Sequence, residues 1–381
     1  MKAKGMMLVA ALATAGAFTA WAQGQGQPAD SRRTPGVQSG QDPKREAFVA
    51  ANCKVPPPAP AARGGGPGGG GRAGGAPAAA PALNDYTVTA IPGVIAAGQK
   101  WKLVWEDAGN NADGPVGMDD GSLWLAQNDK STVVRIDKDG KAAAIYTDTY
   151  TGGSIAANRR GQVFIAERAL GQAIWLLRPE RKLFANTVRG EPFECQTTGV
   201  LNDMTADSKG GVYFTMGGVY YANPQGVVSG RFGTVGGNGI ILSPDEKTLY
   251  VTGRLPGAVP PGGQPAPAAP AGGGGGGGNN GGLVAFDVQA DGSLTNERQF
   301  AWAGGDGSAV DKDGRIYTTG GGVVSVISPK GELLGAIPMP RNLISVAFGG
   351  TDKKLLYGIA IRDVQIFSIP TIAQGLTGRP K

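Results

Sequence analysis

A repeat of about forty residues is the feature that most constrains how this chain folds. Six short segments place an aromatic residue after an apolar one, and these aromatic anchors are Trp124, Phe164, Tyr213, Tyr250, Tyr317 and Tyr357. Their spacings are 40, 49, 37, 67 and 40 residues, and the longest contains a Gly/Pro-rich stretch of 27 residues whose removal leaves 40. Such a period, with strand-like segments between Gly-containing turns, is typical of a β-propeller with four strands per blade. The sequence therefore predicts an all-β, six-bladed propeller.

The N-terminal segment has the pattern of an export signal. Lys2 and Lys4 precede the apolar stretch Met6–Phe18, which is too short to span a membrane. Ala20-Trp21-Ala22 then supplies the small-x-small pattern of a cleavage site. We expect residues 1–22 to be removed, and hence a periplasmic or secreted protein that is not stably inserted in a membrane.

Glycine and proline are concentrated in two blocks. The chain has 66 Gly and 27 Pro in 381 residues, and much of this excess lies in residues 23–83 and 256–282. Such segments bury too little apolar surface to offset their chain entropy. We therefore expect residues 23–83 to be a flexible tether and residues 256–282 to be a disordered insertion in blade four. The propeller then spans residues 84–381, because a long loop adds little closure entropy.

The net charge of +6 does not belong to the predicted propeller. The signal contributes +2 and the tether about +4, so residues 84–381 are close to neutral. A basic surface is the electrostatic basis of nucleic-acid binding. We therefore expect no nucleic-acid partner, and we expect a monomer whose partner is a small molecule.

The chain contains no histidine, which excludes several kinds of chemistry. Ser-His-Asp and Cys-His catalysis, and metal sites with imidazole ligands, all need this residue. Acid–base chemistry must therefore come from Asp, Glu, Lys, Tyr, Cys or a water bound to a metal.

Polar residues recur at one position of the repeat. Eleven or twelve residues before each anchor, where the inner strand of a blade should begin, stand Asp113, Gly153, Asn202, Asn238, Asp306 and Ser345. Because equivalent residues of all blades converge on the axis, two carboxylates and two amide oxygens would meet at one mouth of the channel. Such oxygens suit a hard cation, above all Ca²⁺, with Mg²⁺, Mn²⁺ or Zn²⁺ as alternatives. The competing interpretation is that each Asp or Asn only caps its own turn.

Several segments between about residues 105 and 368 also carry a family resemblance. They are Asp113-Gly114-Pro115, Leu201-Asn202-Asp203, Gly237-Asn238-Gly239-Ile240, Leu242-Ser243-Pro244-Asp245-Glu246-Lys247-Thr248-Leu249-Tyr250, Asp306-Gly307, Val310-Asp311 and Val346-Ala347-Phe348-Gly349-Gly350. With these segments the sequence resembles the regucalcin/gluconolactonase family, also called senescence-marker-protein and luciferin-regenerating-enzyme-like. The resemblance implies a six-bladed propeller that hydrolyses sugar lactones. It also implies one divalent metal at the mouth, with the ligands Asp113, Asn202, Asn238 and Asp306.

The chain departs from the family pattern at two positions. The family's first metal ligand is usually Glu within Glu-Gly-Pro, whereas Asp113 is shorter by one methylene, or about 1.5 Å. The family's sugar lactonases place an arginine two residues before the first Asn ligand, where this chain has Val200. The resemblance therefore supports a metal-binding propeller more than it supports an aldonolactone substrate.

These observations lead to two hypotheses for the function. In the first, the protein is a metal-dependent lactonase or related ester hydrolase acting on a lactone or sugar derivative, and Asp306 holds the metal and accepts the proton. The expected substrate contacts lie at or just beyond the ends of strands that return to the mouth, and they are Asn128, Glu167, Arg168 and Arg254. In the second, the metal only stabilises a non-catalytic propeller that binds a carbohydrate or protein in the cell envelope.

The sequence contains two cysteines, Cys53 and Cys195. Export permits a disulfide between them, which would tie the tether to the propeller, while two free thiols or intermolecular pairing stay open. A catalytic cysteine is not expected, because no partner base accompanies either residue.

Overall fold

The structure is a computed structural model that describes residues 36–57, 83–109, 112–197, 199–260, 281–320, 322–360 and 364–379. The predicted export signal, residues 23–35 and 58–82 of the predicted tether, and residues 261–280 of the predicted insertion lie outside the described residues. Helices in the described part are α1 (Arg45–Asn52) and two short 3-10 helices at Ser39–Gln41 and Phe193–Cys195. None of these helices has the length and apolar character needed to cross a membrane.

Strands of the described ranges form six four-stranded antiparallel sheets, which are the blades of the propeller. The first strand of the chain is β1 (Lys102–Asp107). Blade one contains β2 (Asp113–Gly117), β3 (Leu123–Gln127), β4 (Thr132–Ile136) and β5 (Ala142–Tyr146). Blade two contains β6 (Gly152–Ala157), β7 (Val163–Glu167), β8 (Ala173–Arg178) and β9 (Lys182–Ala185). A two-stranded ribbon follows, made of β10 (Thr187–Val188) and β11 (Glu191–Pro192).

The second half of the ring repeats this order. Blade three contains β12 (Met204–Ala206), β13 (Val212–Thr215), β14 (Val219–Ala222) and β15 (Val228–Phe232). Blade four contains β16 (Ile240–Leu242), β17 (Thr248–Thr252), β18 (Leu283–Val288) and β19 (Leu294–Ala301). Blade five contains β20 (Ser308–Val310), β21 (Ile316–Gly320), β22 (Val323–Ile327) and β23 (Leu333–Pro338). Blade six contains β24 (Leu343–Gly349), β25 (Leu355–Ala360), β26 (Val364–Pro370) and, as its fourth strand, β1.

The two ends of the ring are joined by the pairing of β1 with β26. This antiparallel ladder runs from Lys102 opposite Ser368 to Asp107 opposite Val364, so the first strand becomes the outermost strand of the last blade. Closure leaves only short strand edges at the rim, which is how propellers avoid edge-to-edge association. The prediction of an all-β, six-bladed propeller is confirmed.

Each aromatic anchor fills a different seam between two neighbouring blades. Six apolar clusters of described residues occupy the six seams, and the anchors in ring order are Trp124, Phe164, Tyr213, Tyr250, Tyr317 and Tyr357. All six lie on the second strand of a blade and are at most 8 % exposed. An aromatic side chain supplies the large buried area that a seam between two sheets needs. Because each blade forms one such seam with the next, an aromatic residue recurs once per blade.

Residues 36–57, here called the N-terminal strap, lie against the propeller although they fall within the predicted tether. The Ser39 N–H donates to the C=O of Arg168 at 2.7 Å, and Ser39 Oγ donates to Glu194 Oε1 at 3.0 Å. A disulfide joins Cys53, just after α1, to Cys195 in the connection between blades two and three. The tether prediction is therefore wrong for residues 36–57, because a covalent link and buried hydrogen bonds offset the chain entropy.

The C-terminal segment crosses the face opposite the beginnings of the inner strands. The Gly378 N–H donates to Asp119 Oδ2 of blade one at 2.8 Å, and Arg379 Nη2 donates to the C=O of Ser243 in blade four at 2.6 Å. Blades one and four are opposite each other in a ring of six, so the segment spans the axis. A ligand site on the axis therefore faces the other end, which is the mouth.

Candidate metal centre at the propeller mouth

The four residues predicted as metal ligands come together at the mouth. Arg168 Nη2 donates to Asp113 Oδ2 at 3.1 Å and to Asn202 Oδ1 at 3.2 Å, so these two side chains meet across the end of blade two. Asp306 accepts a hydrogen bond from the Asn238 side chain and lies close enough to Asp113 for their charges to interact. Residues 193 positions apart in the sequence thus share one site, as the register of the repeat predicts.

Threonines at the ends of the second strands hold the segments that carry these ligands. Thr215 Oγ1 donates to the C=O of Asn238 at 2.5 Å, and the Gly239 N–H donates to Thr252 Oγ1 at 2.7 Å. Thr319 has the equivalent position in blade five. Each of these threonines stands two residues after an anchor tyrosine, so the pattern Tyr-x-Thr in blades three to five marks the support of the site. The sequence reasoning missed this pattern.

Glycine follows the candidate ligand in blades one, four and five because the next blade comes very close there. A Cβ on Gly239 would lie 2.1 Å from the C=O of Asp306, and a Cβ on Gly307 would lie 2.3 Å from Ser345 Oγ. Neither distance is compatible with a side chain, so the ligand-Gly pairs of the sequence reflect the packing of inner strands around the axis.

Blade three has Asp203 where blades one, four and five have this glycine, and Asp203 connects three blades. Its carboxylate accepts hydrogen bonds from Ser154 Oγ in blade two at 2.8 Å and from the Ile240 N–H in blade four at 3.1 Å. It also accepts from the Met204 N–H at 2.9 Å. The sequence reasoning did not assign Asp203 a role, although its departure from the ligand-Gly pattern was visible.

The mouth carries more negative than positive charge. The charges that act on Asp306 are the carboxylates of Asp113 and Asp203 and one cation, Arg168, so these groups carry one more negative than positive charge. Burial, and then the charges of Asp113 and Asp203, raise the pKa of Asp306 to about 8. A divalent cation would supply positive charge that balances these carboxylates.

The donor atoms at the mouth also fit such a cation. Asn238 Oδ1 is buried and has no hydrogen-bond partner among the described residues, although buried amide oxygens normally have one. All the donors are carboxylate or amide oxygens, which Ca²⁺ and Mg²⁺ prefer. Within the described part of the chain, no three His, Cys, Asp or Glu side chains are grouped so that they could hold a metal ion by themselves.

The four predicted substrate contacts lie in different environments. Arg168 enters the mouth, and Arg254 donates through Nε to the C=O of Gly281 at 2.7 Å, at the base of the blade-four insertion. Asn128 is 2 % exposed, and neither its Oδ1 nor its Nδ2 has a hydrogen-bond partner among the described residues. Glu167 is fully buried and pairs with Arg181 at 3.2 Å, so its prediction as a rim contact is wrong. Successive residues of an extended chain point to opposite sides, which is why Glu167 and Arg168 diverge.

Fold and site together define a six-bladed propeller with an oxygen-lined, carboxylate-rich mouth. A family profile described as SMP-30/Gluconolactonase/LRE-like region matches residues 278–361. Lactonase drp35 of Staphylococcus haemolyticus is 31% identical over 184 residues, which cover 44% of this chain and 52% of the lactonase. The chain thus spans about half the length of this curated relative.

Solved structures share this fold. The match to a gluconolactonase of Xanthomonas campestris has a TM-score of 0.60 at 20% identity, and it covers 81% of this chain and 99% of that chain. The match to regucalcin of Agrobacterium tumefaciens, a calcium-binding protein, has a TM-score of 0.56 at 16% identity, and it covers 74% of this chain and 96% of that chain. The resemblance to the regucalcin/gluconolactonase family is confirmed.

Proposed function

We propose that this protein is a divalent-metal-dependent lactonase of the gluconolactonase type, acting on a lactone or sugar derivative. The observation that carries the proposal is the grouping of three carboxyl groups, those of Asp113, Asp203 and Asp306, with one cation, Arg168, beside Asn238 Oδ1, which has no partner among the described residues. The names of two similar proteins, a lactonase and a gluconolactonase, support the reaction class.

Each residue of the mouth has a separate part in this proposal. Asp113, Asn202, Asn238 and Asp306 would hold the cation, with Ca²⁺ the first candidate. When bound, the cation would polarise the lactone carbonyl and lower the pKa of a water molecule. Asp306 is the proposed proton acceptor, because its carboxylate lies at the proposed cation site and accepts a hydrogen bond from the Asn238 side chain, which would orient it.

The reaction is tested by proton release from a panel of lactones. Chelator-treated protein is assayed alone and after the addition of Ca²⁺, Mg²⁺, Mn²⁺ or Zn²⁺. We expect release only with a metal, and none from the Asp306→Asn variant. The matched control is Asp139→Asn, which removes an exposed carboxylate from a hairpin turn of blade one and should keep full activity.

Two other outcomes would contradict this function in different ways. A metal that raises the melting temperature without any turnover would instead support the non-catalytic propeller that binds a carbohydrate or protein. If no metal changes either turnover or melting temperature, the metal centre itself is wrong.

We also propose that the protein is exported to the periplasm or secreted. The signal pattern of residues 1–22 is the basis, and the Cys53–Cys195 disulfide supports it, because such bonds persist mainly in oxidising compartments. Mass spectrometry of the exported protein should find an N-terminus at residue 23. An intact N-terminus on protein confined to the cytosol would contradict the proposal.

A further inference from the structure

Arg168 is a buried cation placed directly between two candidate metal ligands. Its Nε donates to the C=O of Leu201 at 2.9 Å, and its Nη2 donates to the C=O of Asn202 at 2.5 Å. The same Nη2 reaches Asp113 Oδ2 at 3.1 Å and Asn202 Oδ1 at 3.2 Å. The side chain is 5 % exposed, so solvent screens these contacts weakly.

Blade two has no side chain at the ligand position of the repeat, and the Arg168 guanidinium occupies that space. Where blades one, three, four and five carry Asp or Asn, blade two has Gly153. A Cβ on Gly153 would lie 1.9 Å from Cζ and 1.9 Å from Nε of Arg168, so a side chain there and the observed arginine exclude each other.

The backbone that carries Arg168 is held by the N-terminal strap. The Ser39 N–H donates to the Arg168 C=O at 2.7 Å. Glu194 then ties this region together, since its Oε1 accepts from Ser39 Oγ at 3.0 Å and from the Gly171 N–H at 2.8 Å. Arg168 is therefore anchored at both its main chain and its guanidinium.

The position of Arg168 has a direct consequence for metal binding. Asp113 Oδ2 and Asn202 Oδ1 already accept hydrogen bonds from a cation, whereas Asn238 Oδ1 has no partner among the described residues. A divalent cation at the mouth would have to share the first two oxygens with a positive group that repels it. The Asn238 and Asp306 half of the mouth does not have this competition for its oxygens.

We propose that Arg168 is a built-in competitor for the metal, a positioning residue that weakens divalent-cation binding and directs the cation toward Asn238 and Asp306. This inference rests on the metal centre of the proposed function. It predicts that removal of Arg168 changes metal affinity in the opposite direction from what a merely structural role would give. Removing an arginine that only supports the mouth would weaken metal binding, whereas removing a competitor strengthens it.

The test is a calorimetric titration of the chelator-treated full chain with Ca²⁺ and with Mn²⁺. We expect the Arg168→Gln variant to bind at least tenfold more tightly than the unmodified protein. The matched control is Arg135→Gln, which removes the same charge from β4, where the arginine pairs with Asp120 at 3.2 Å, away from the mouth. Its affinity should equal that of the unmodified protein.

The outcomes separate this inference from the proposed function. If the unmodified protein binds metal and Arg168→Gln binds with equal or lower affinity, the competitor role is overturned and the metal centre stands. If neither protein binds metal, both proposals fall. Should Arg168→Gln be unfolded after chelation, Gly153→Ala, whose methyl group displaces the guanidinium, is titrated in its place. Tighter binding than in the unmodified protein supports the inference, and equal or weaker binding overturns it.

Discussion

Alanine at Gly153 should expel the Arg168 guanidinium from the mouth without removing its charge from the protein. The added methyl would lie 1.9 Å from the guanidinium carbon, so the arginine has to leave. Gly153 does not have a positive φ, and alanine is therefore compatible with its backbone. The substitution thus isolates the contacts of one side chain.

The expected cost follows from the bonds that Arg168 gives up. It loses its ion pair with Asp113 and its hydrogen bonds to two carbonyl oxygens, those of Leu201 and Asn202. Charge-assisted hydrogen bonds contribute about 1.5–3 kcal/mol each, but the expelled guanidinium regains water. We expect a net loss of about 2–4 kcal/mol in the free energy of unfolding. In a domain of this size, that loss lowers the melting temperature by roughly 4–10 °C.

The assay is thermal unfolding in chelator, followed by metal titration of the same variant. Gly236→Ala is the matched control, because a Cβ there would meet nothing within 4 Å and the residue does not have a positive φ. We expect Gly153→Ala to melt below this control and yet to bind Ca²⁺ more tightly. If the two variants have the same melting temperature and metal affinity, Arg168 is not held as the structure shows, and the reasoning is refuted.

Three further changes test other parts of the structure. The pKa of Asp306 is raised in the folded protein, so its ionisation opposes folding between about pH 4 and pH 8. As the pH rises through this window, the chelated protein should therefore lose more stability than Asp306→Asn. Parallel profiles of urea unfolding against pH for the two proteins would contradict this. Replacing both Cys53 and Cys195 with serine removes a link between residues 142 positions apart. The free energy of unfolding, measured in urea, should fall by up to about 5 kcal/mol. An unchanged urea midpoint would show that the disulfide does not stabilise the fold. Arg379→Met leaves two carbonyl oxygens of blade four without their donor, and calorimetry should show a loss of about 2–3 kcal/mol in the free energy of unfolding. Unchanged stability would mean that the C-terminal segment does not stabilise the ring.

The repeat and the mouth could be predicted from the sequence for the same physical reason. A blade seam needs a large buried side chain at the same place in each blade, so Trp124 and Tyr317 appear in register with their equivalents. Asp113 and Asp306 are in register as well, because equivalent strand ends converge on one axis. Periodicity of this kind is a local property that the order of residues shows directly.

Contacts between segments with no repeat relationship could not be predicted in this way. Composition assigned the strap to a flexible tether, yet its helix, its hydrogen bonds and its disulfide hold it against the mouth. Glu167 is the last residue of β7 and Arg168 follows it directly, and the sequence did not reveal that Glu167 is buried beside Arg181 while Arg168 enters the mouth.

The sequence by itself determined the six-bladed ring, its aromatic seams and the acidic and amide residues at the mouth, because each depends on a spacing that repeats along the chain. Only the tertiary structure decided that the space left by Gly153 is filled by Arg168, and that the charge of Asp203 acts on Asp306 together with that of Asp113. Those facts depend on the shapes and charges of residues from different blades, which meet only when the ring closes.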